Sequence, residues 1–317
     1  MSVSAVLLTF NRREMTARVL DELAAQGCAD EVIVVDASSD GTAEMARARG
    51  AIVLEPGDLG AAGRNVGAQH ASHDLVLFID DDSHPERGAV EELERAFAAN
   101  PRLGVAAGFI RNVDDDGTVL IDEQVGSFDW FLRSGIEGDP PEGIPAYFFP
   151  EGACMVRRDA FLAAGGFYGP FFFTLSEIDA TMRLAAAGWE TRYFPRAPFA
   201  HLKRPGSDGG GYHRMLYLRV RNELWHFWLR YPPAMAIPRM LGYLAFDLVE
   251  CAYRREPRAW VEGVRDAWRL RATVAADRNP LPRAVIRDVE RNRAQMHVAL
   301  LWAQLRRRLT GRHRAAA

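Results

Sequence analysis

The chain has 317 residues, of which 48% are hydrophobic, and its formal net charge is −3 at neutral pH. This length allows one large core, or a core domain with an added subdomain, and the balanced charge argues against nucleic acid as the main partner. The three cysteines stand far apart without a metal or disulfide motif, which favours a reducing, cytoplasmic setting.

Strands and helices are predicted to alternate through the first 110 residues. Short apolar runs indicate strands at 3–9, 31–35, 51–54, 75–79 and 104–110. Segments between them indicate helices at 13–26, 42–50, 61–70 and 86–99. This alternation predicts an α/β fold with a mostly parallel sheet flanked by helices, whose ligands bind at the carboxyl ends of the strands.

The second half of the chain is less regular. Residues 111–150 are rich in Gly, Pro and aromatic residues, which indicates an irregular, functional segment. Beyond it, we expect a strand at 151–157, a helix at 176–187 and a strand at 191–194. The glycine-rich run 206–211 predicts a boundary between a domain at 1–205 and a helical region at 206–317.

The segment 237–253 is the most apolar stretch of that helical region. Its charged residues Arg239, Asp247 and Glu250 recur along one helical stripe, and the other side carries Met240, Leu241, Leu244 and Leu248. The pattern predicts an amphipathic helix rather than a membrane span. We expect the helical region to pack on the core or on a second copy, as a homodimer. The alternative is peripheral contact of these helices and the Arg-rich tail, 306–314, with an anionic membrane surface.

Three consecutive aspartates, Asp80, Asp81 and Asp82, follow the predicted strand at 75–79. Adjacent carboxylates repel one another, and a hard divalent ion, Mg²⁺ or Mn²⁺, would relieve that repulsion while binding phosphate oxygens. The alternative is a solvated acidic turn that precedes the next helix. Both interpretations fit the motif taken alone.

Further motifs follow one another in a defined order. They are Thr9-Phe10-Asn11-Arg12, the segment 34–42 with Asp36, Gly63-Arg64-Asn65, the aspartates at 80–82, the segment 152–158, Gly165-Gly166-Phe167, Ser176-Glu177-Ile178-Asp179, and Pro195 to His201. In this order and spacing, residues 3–205 resemble family 2 glycosyltransferases of the GT-A fold. The resemblance implies inverting transfer of a sugar from a nucleotide-diphospho-sugar.

The resemblance also implies which residues bind the donor and the metal. Nucleotide-sugar contacts are implied for Thr9, Asn11, Arg12, Asp36, Arg64, Asp80 and Asp81, and metal ligation for Asp82 and His201. A carboxylate such as Asp36 can accept the N3–H of uracil or thymine. The alternatives are that Asp36 only ends its strand and caps the next helix, that Arg64 is a surface arginine, and that His201 is structural.

The catalytic base is expected at the start of the predicted helix 176–187. The family usually has Glu-Asp-x-Asp here, and this chain has Ser176-Glu177-Ile178-Asp179. The resemblance therefore implies Glu177 as the carboxylate that removes the acceptor proton, with Asp179 as the second candidate. The alternative is that both acids only complement the N-terminus of the helix.

These observations predict a metal-dependent glycosyltransferase that uses a UDP- or dTDP-sugar. Its acceptor would be the hydroxyl of a glycan, a lipid-linked sugar or a small molecule, in bacterial glycan or secondary-metabolite biosynthesis. The expected location is the cytoplasm, or the inner face of the membrane. The alternative from another class is a catalytically silent sugar-nucleotide-binding scaffold or regulator. A nucleotidyltransferase is disfavoured, because the first strand lacks a Gly-rich loop with Arg and Lys after it.

Overall fold

The computed structural model describes residues 2–114, 116–119, 140–202 and 211–291. The predicted boundary at 206–211 lies almost wholly outside these residues, and the Arg-rich tail at 306–314 lies entirely outside them.

The first half of the chain alternates strands and helices as predicted. Its strands are β1 (Val3–Thr9), β2 (Glu31–Asp36), β3 (Ile52–Leu54), β4 (Leu75–Asp80), β5 (Ser83–Pro85) and β6 (Leu103–Val113). Its helices are α1 (Arg13–Gln26), α2 (Thr42–Ala48), α3 (Gly63–His70) and α4 (Ala89–Ala99). The strand β5 was not predicted, since residues 83–85 were expected to form a turn and the start of a helix.

The second half adds three strands and the C-terminal helices. The strands are β7 (Ile144–Pro145), β8 (Ala153–Arg157) and β9 (Glu190–Leu202). The helices are α5 (Arg158–Ala163), α6 (Ser176–Ala186), α7 (Gly211–Arg230), α8 (Pro233–Tyr253), α9 (Pro257–Arg269) and α10 (Ala272–Ala275). Residues 283–291 are also helical.

The described strands form one twisted sheet in the order β3-β2-β1-β4-β8-β6-β9-β5, with β7 paired to β9. Strands β3, β2, β1 and β4 are mutually parallel. Strand β8 runs antiparallel to both β4 and β6, whereas β6 and β9 are parallel. The predicted α/β sheet with flanking helices and a helical C-terminal region is therefore confirmed, and its second half is mixed.

Strand β9 is longer than the predicted strand at 191–194. Pro195 and Pro198 made the sequence look like the end of a strand, because proline cannot donate a backbone hydrogen bond. The strand continues past them because its register with β6 shifts between Phe194 and Pro198. This continuation pairs His201 with Ser83 of β5, directly after the three aspartates.

Two apolar cores cover the two faces of the sheet. Helices α1, α2 and α4 pack on one face, with Leu20, Met45 and Phe97 buried there. Helices α3, α5 and α6 contribute to the other face, around Phe78 and Phe161. A further cluster joins Met182 of α6 to Phe227 of α7, so that the C-terminal helices pack against the sheet domain.

Helix α8 is amphipathic, but its charged stripe lies on the inside. Asp247 is 1% exposed and accepts a hydrogen bond from Arg219 at 2.8 Å. Met240 and Leu244 pack inward, as the predicted apolar side should. Leu241 and Leu248, assigned to the same side, are instead 63% and 44% exposed. Among the described residues, no helix combines the length and the hydropathy that crossing a membrane requires.

Candidate active site

The carboxyl ends of the parallel strands bring the predicted residues to one edge of the sheet. Thr9 at the end of β1 lies beside Asp36 at the end of β2. Asp80 at the end of β4 pairs with Leu8 on the other side of β1. The side chains that the sequence predicted to converge are therefore neighbours in the fold.

Asp36 has a buried carboxylate oxygen that is ready to accept a hydrogen bond. The side chain is 1% exposed, and its Oδ1 accepts from the backbone N–H of Ser38 at 3.0 Å. Its Oδ2 has no hydrogen-bond partner among the described residues. A buried acceptor without a partner is costly, so this atom is suited to receive an N–H from a ligand.

Thr9 and Asn11 make side-chain contacts within the protein at this edge, and their contact with the nucleotide stays a prediction. The Thr9 hydroxyl is buried and donates to Asp81 at 3.2 Å. Asn11 lies in the left-handed region (φ 52°), which asparagine tolerates well. Its backbone N–H donates to Ser38 at 2.7 Å, and its side-chain oxygen accepts from Ser39 at 2.8 Å. Asn11 therefore fixes the loop that carries Asp36.

Arg12 forms ion pairs with two of the three aspartates. Its Nη1 donates to Asp81 at 2.9 Å and to Asp82 at 2.6 Å. Burial raises the pKa of Asp81 to about 6, although Arg12 opposes the rise. Burial also acts to raise the pKa of Asp82, but hydrogen bonding and charge from His201 and Arg12 outweigh it and lower the pKa. Asp82 is therefore better prepared than Asp81 to stay ionised.

His201 faces Asp82 at the ligand-binding edge of the sheet. The Nε2 of His201 lies 3.5 Å from Oδ1 of Asp82, and Nδ1 lies 2.7 Å from the side-chain oxygen of Asn112. When Nδ1 donates to that amide oxygen, the neutral imidazole presents the lone pair of Nε2 on the side of Asp82, as a metal ligand does.

These two residues fit a divalent metal as a two-ligand site. Among the residues that the structure describes, no group of three or more His, Cys, Asp or Glu side chains could hold a metal. Mg²⁺ and related ions often bind to one or two carboxylates and take their other ligands from phosphate and water. The Asn112 contact would also fix the tautomer that such a ligand needs.

Arg64 is buried between two carboxylates, and its contact with a diphosphate stays a prediction. It is 3% exposed and donates to Asp80 and, at 2.9 Å, to Glu151. Two carboxylates thus use both terminal nitrogens of the guanidinium. Arg64 orients Asp80, whose own side chain is 41% exposed at the edge.

Glu151 and Glu177 form a pair of acids that compete for protons near Arg64. Burial and the charge of Glu177 raise the pKa of Glu151, against the effect of Arg64. Burial also raises the pKa of Glu177, and the charge of Asp80 adds to the rise. A carboxylate with a raised pKa is a better proton acceptor. The sequence analysis missed Glu151, for which the only signal was an acid at the first position of the strand predicted at 151–157.

Asp179, the second predicted base, lies in a buried ion network. Its side chain has no exposed surface and accepts from Arg183 and Arg230, each at 2.7 Å. Burial tends to raise its pKa, but Arg183, His226 and Arg230 together lower the pKa far below its ordinary value. With its oxygens occupied and its proton affinity reduced, Asp179 is poorly suited to accept a proton, which favours Glu177 of the two candidate bases.

Asn222 of α7 supports the strained loop that precedes Glu177. Phe172, Thr174 and Leu175 have φ angles of 63°, 60° and 63°, which side chains other than Gly, Asn and Asp rarely adopt. The fully buried Asn222 amide donates to the backbone oxygens of Phe171 and Phe173 at 2.9 and 2.6 Å. Its partners lie about fifty residues away in the chain, so the sequence alone could not place Asn222 beside this loop.

Comparisons with known proteins agree with this geometry. The profile described as "Glycosyl transferase family 2" matches residues 4–163. An N-acetylglucosaminyl-diphospho-decaprenol L-rhamnosyltransferase of Mycobacterium tuberculosis is 26% identical over 208 residues, which cover 58% of this chain and 67% of that protein.

Two solved structures share the fold. TarS 1-349 of S. aureus, in complex with UDP-GlcNAc, superposes with a TM-score of 0.56 at 17% identity, over 95% of this chain and 89% of that one. The mannosyltransferase PcManGT of Pyrobaculum calidifontis, in complex with GDP-Man and Mn²⁺, gives a TM-score of 0.51 at 19% identity, over 96% and 86%. Both superpositions cover nearly the whole chain, so the fold predicted from the sequence is confirmed.

Proposed function

This chain belongs to glycosyl transferase family 2, and we propose that it moves a sugar from a UDP- or dTDP-sugar to an acceptor hydroxyl with inversion at the sugar carbon. The observation that carries the proposal is the pair Asp82–His201, whose facing oxygen and nitrogen lie 3.5 Å apart at the ligand-binding edge of the sheet. Such a pair is suited to a cation that accompanies a diphosphate.

Asp36 is the proposed partner of the nucleobase. Uracil and thymine each present one N3–H, and the buried Oδ2 of Asp36 can accept it. Asp80, held from below by Arg64, is proposed to lie on the ribose side. Support for a uracil nucleotide comes from TarS, a protein of the same fold bound to UDP-GlcNAc.

Asp82 and His201 are the proposed ligands of Mg²⁺ or Mn²⁺. When bound, such an ion neutralises charge on the departing nucleoside diphosphate. The residues of the chain prepare this site in advance, because Arg12 and His201 keep the pKa of Asp82 low against the effect of burial. The Mn²⁺ that accompanies GDP-Man in PcManGT supports the choice of ion.

Glu177 is the proposed general base. It would take the proton of the acceptor hydroxyl while the hydroxyl oxygen forms a bond to the sugar carbon and the bond from that carbon to the diphosphate oxygen breaks. Burial raises its pKa, which strengthens it as a proton acceptor near neutral pH. Asp179 is proposed to position the helix of Glu177 through its buried ion pairs.

The acceptor is proposed to be a glycan or lipid-linked sugar of a bacterial envelope, handled at the cytoplasmic side. The rhamnosyltransferase relative supports this class, because its name specifies a decaprenol-linked diphosphate sugar. A small-molecule acceptor from secondary metabolism stays as the alternative.

The proposal is tested by measuring release of nucleoside diphosphate from UDP- and dTDP-sugars with Mn²⁺ and lipid-linked or soluble sugar acceptors. The anomeric configuration of the product, determined by NMR, tests inversion. In Asp36→Ala, the donor concentration for half-saturation should rise about tenfold, because a buried hydrogen bond is lost. The control is Asp159→Ala, which removes an aspartate whose side chain is 80% exposed.

The alternative, a silent scaffold, predicts a different result. It would bind the sugar nucleotide in calorimetry, with Asp36→Ala weakening binding, but release no diphosphate with any acceptor. If the wild-type protein binds no sugar nucleotide with or without metal, both functions are refuted.

A further inference from the structure

The outward face of helix α8 carries no charge along its whole length. Every exposed residue from 233 to 253 is Ala, Gly, Pro, Ile, Leu, Phe, Val or Tyr. The exposed fractions are large, with 63% for Leu241, 61% for Phe246 and 69% for Val249. The 21 residues of the helix extend over about 31 Å. Continuous apolar surfaces of this kind on a protein usually bind something.

The charged residues of α8 are used inside the protein, which leaves the outer face apolar. Arg219 of α7 pairs with Asp247 at 2.8 Å and with Glu250 at 2.9 Å. Arg239 pairs with Glu290 on the last described helical segment. The orientation of the helix is thus fixed by buried and half-buried ion pairs, and rotating it to hide the apolar face would break them.

Exposed arginines follow α8 in the chain, in the turn after it and along the neighbouring helix α9. Helix α9 lies beside α8, where the indole N–H of Trp260 donates to the backbone oxygen of Leu244 at 2.9 Å. The exposed charged residues between 233 and 276, a segment that the structure describes completely, are all arginines: Arg254, Arg255, Arg258, Arg265, Arg269 and Arg271. Trp268, 69% exposed, stacks with Arg271 at 4.2 Å. The acids of the segment are buried or half-buried.

We propose that the outer face of α8 and the arginines of the α8–α9 hairpin form a docking surface for an anionic lipid membrane. An apolar helical face inserts among lipid acyl chains, arginines pair with anionic headgroups, and aromatic rings such as Trp268 lie between the two. The helix lies in the plane of the membrane surface, because its three charged side chains on the inner stripe exclude a spanning orientation.

Charge distinguishes a membrane from a second copy of this chain. A symmetric dimer would bring the six exposed arginines of both partners into one interface. Arg254 and Arg265 already pair with Glu250 and Asp266, and the segment offers no exposed acid for the other four. An anionic headgroup layer supplies the opposite charge. This inference does not depend on the proposed catalytic function, since binding to lipid requires neither a sugar nucleotide nor turnover.

The test is co-sedimentation of the full-length protein with vesicles of phosphatidylcholine alone or with about 30% phosphatidylglycerol. We expect binding to the anionic vesicles only, and weaker binding at higher salt. The variant Leu241→Gln/Val249→Gln should bind at least tenfold more weakly, because it places two amides on the inserted face. The control is Ile52→Gln, which changes an apolar side chain that is 46% exposed on the edge strand β3.

A second comparison tests the arginines. Arg255→Gln/Arg258→Gln/Arg269→Gln should weaken binding about a hundredfold at low salt. The charge-matched control Arg47→Gln/Arg87→Gln/Arg95→Gln removes three exposed arginines from the sheet domain and should retain binding. All changed positions are at the surface, so thermal unfolding should be unchanged.

Three results would overturn the proposal. The first is no binding of the wild-type protein to anionic vesicles. The second is equal loss of binding in the test and control variants. The third is a dimer in light scattering that Leu241→Gln/Val249→Gln dissociates, which would assign the face to a second copy.

Discussion

Arg230 of α7 donates through Nε to Oδ1 of Asp179 in α6 at 2.7 Å, and the two side chains are 6% and 0% exposed. This contact joins α6, the helix that contains Glu177, to the C-terminal helices. Because Arg183 also bonds to Asp179, the carboxylate is surrounded by two guanidinium groups. The helical region therefore helps to hold the proposed base in place.

Replacing Asp179 by Asn should lower the free energy of unfolding by about 3–5 kcal/mol, because two buried arginines lose their counter-charge. Urea denaturation measures the change. The matched control is Asp159→Asn, since that side chain is 80% exposed and pairs with its neighbour Arg158. It should change the free energy of unfolding by less than about 0.5 kcal/mol.

The pH dependence of the stability difference between wild type and Asp179→Asn tests whether that difference comes from the ion pairs of Asp179. The pKa of Asp179 is lowered in the folded protein, so its stabilising effect is complete above the unfolded value of about 4 and is lost as the pH falls toward the folded value. The difference between wild type and Asp179→Asn should be constant from about pH 6 to 8 and shrink below about pH 4. A difference that does not vary with pH would contradict the ion network.

Glu177→Gln should reduce the turnover number by about a hundredfold or more without a large loss of stability, because an amide cannot take the acceptor proton. Turnover is measured at saturating donor and acceptor. If Asp179 were the base, Glu177→Gln would keep most of its activity at the same stability.

Glu151→Gln tests the coupling of the two acids. Burial and the nearby negative charges raise the pKa of Glu177 in the wild type, so activity should fall on the acidic side as Glu177 becomes protonated. Glu151 has its pKa raised to about 8, so it is still protonated and neutral while Glu177 titrates, and the neutral glutamine should leave the acidic limb of the pH–rate profile in place. A shift of the acidic limb to lower pH would show that Glu151 is ionised while Glu177 titrates.

Asn222→Asp tests the support of the strained loop. The substitution keeps the shape of the side chain but removes the N–H donors to Phe171 and Phe173, and it places a carboxylate beside their backbone oxygens. The free energy of unfolding should fall by about 1–3 kcal/mol, and the turnover number should fall with it. Asn279→Asp, at an exposed position, is the control and should change neither.

Much of the site could be predicted because parallel strands end at one edge. The positions of Asp36 and Asp80 followed from the order of apolar runs alone, and the sheet indeed places them on either side of β1. The sequence could not show which of these polar groups face the cleft. The burial of Thr9 and Arg64 could not be predicted, because their partners, Asp81 and Glu151, lie 72 and 87 residues away in the sequence.

Helix α8 shows a different limit of sequence reasoning. An amphipathic pattern identifies two sides of a helix but not which side faces the protein, and packing apolar residues inward is only the usual outcome. Here the partner Arg219 decides the orientation by drawing Asp247 and Glu250 inside. The orientation of α8 could therefore be determined only from the structure, which shows Arg219 on the neighbouring helix α7.

The pair Asp82–His201 makes the sharpest prediction about metal. Removal of divalent ions with a chelator should abolish turnover, and Mn²⁺ or Mg²⁺ should restore it. In His201→Ala, the Mn²⁺ concentration for half-maximal activity should rise about tenfold or more, since one ligand is lost, while the maximal rate is largely recovered at high Mn²⁺. His70→Ala, at an exposed position on α3, is the control. If His201 instead contributes only a proton to Asp82, activity will survive the chelator, and His201→Ala will raise the pKa of Asp82 without changing any response to Mn²⁺.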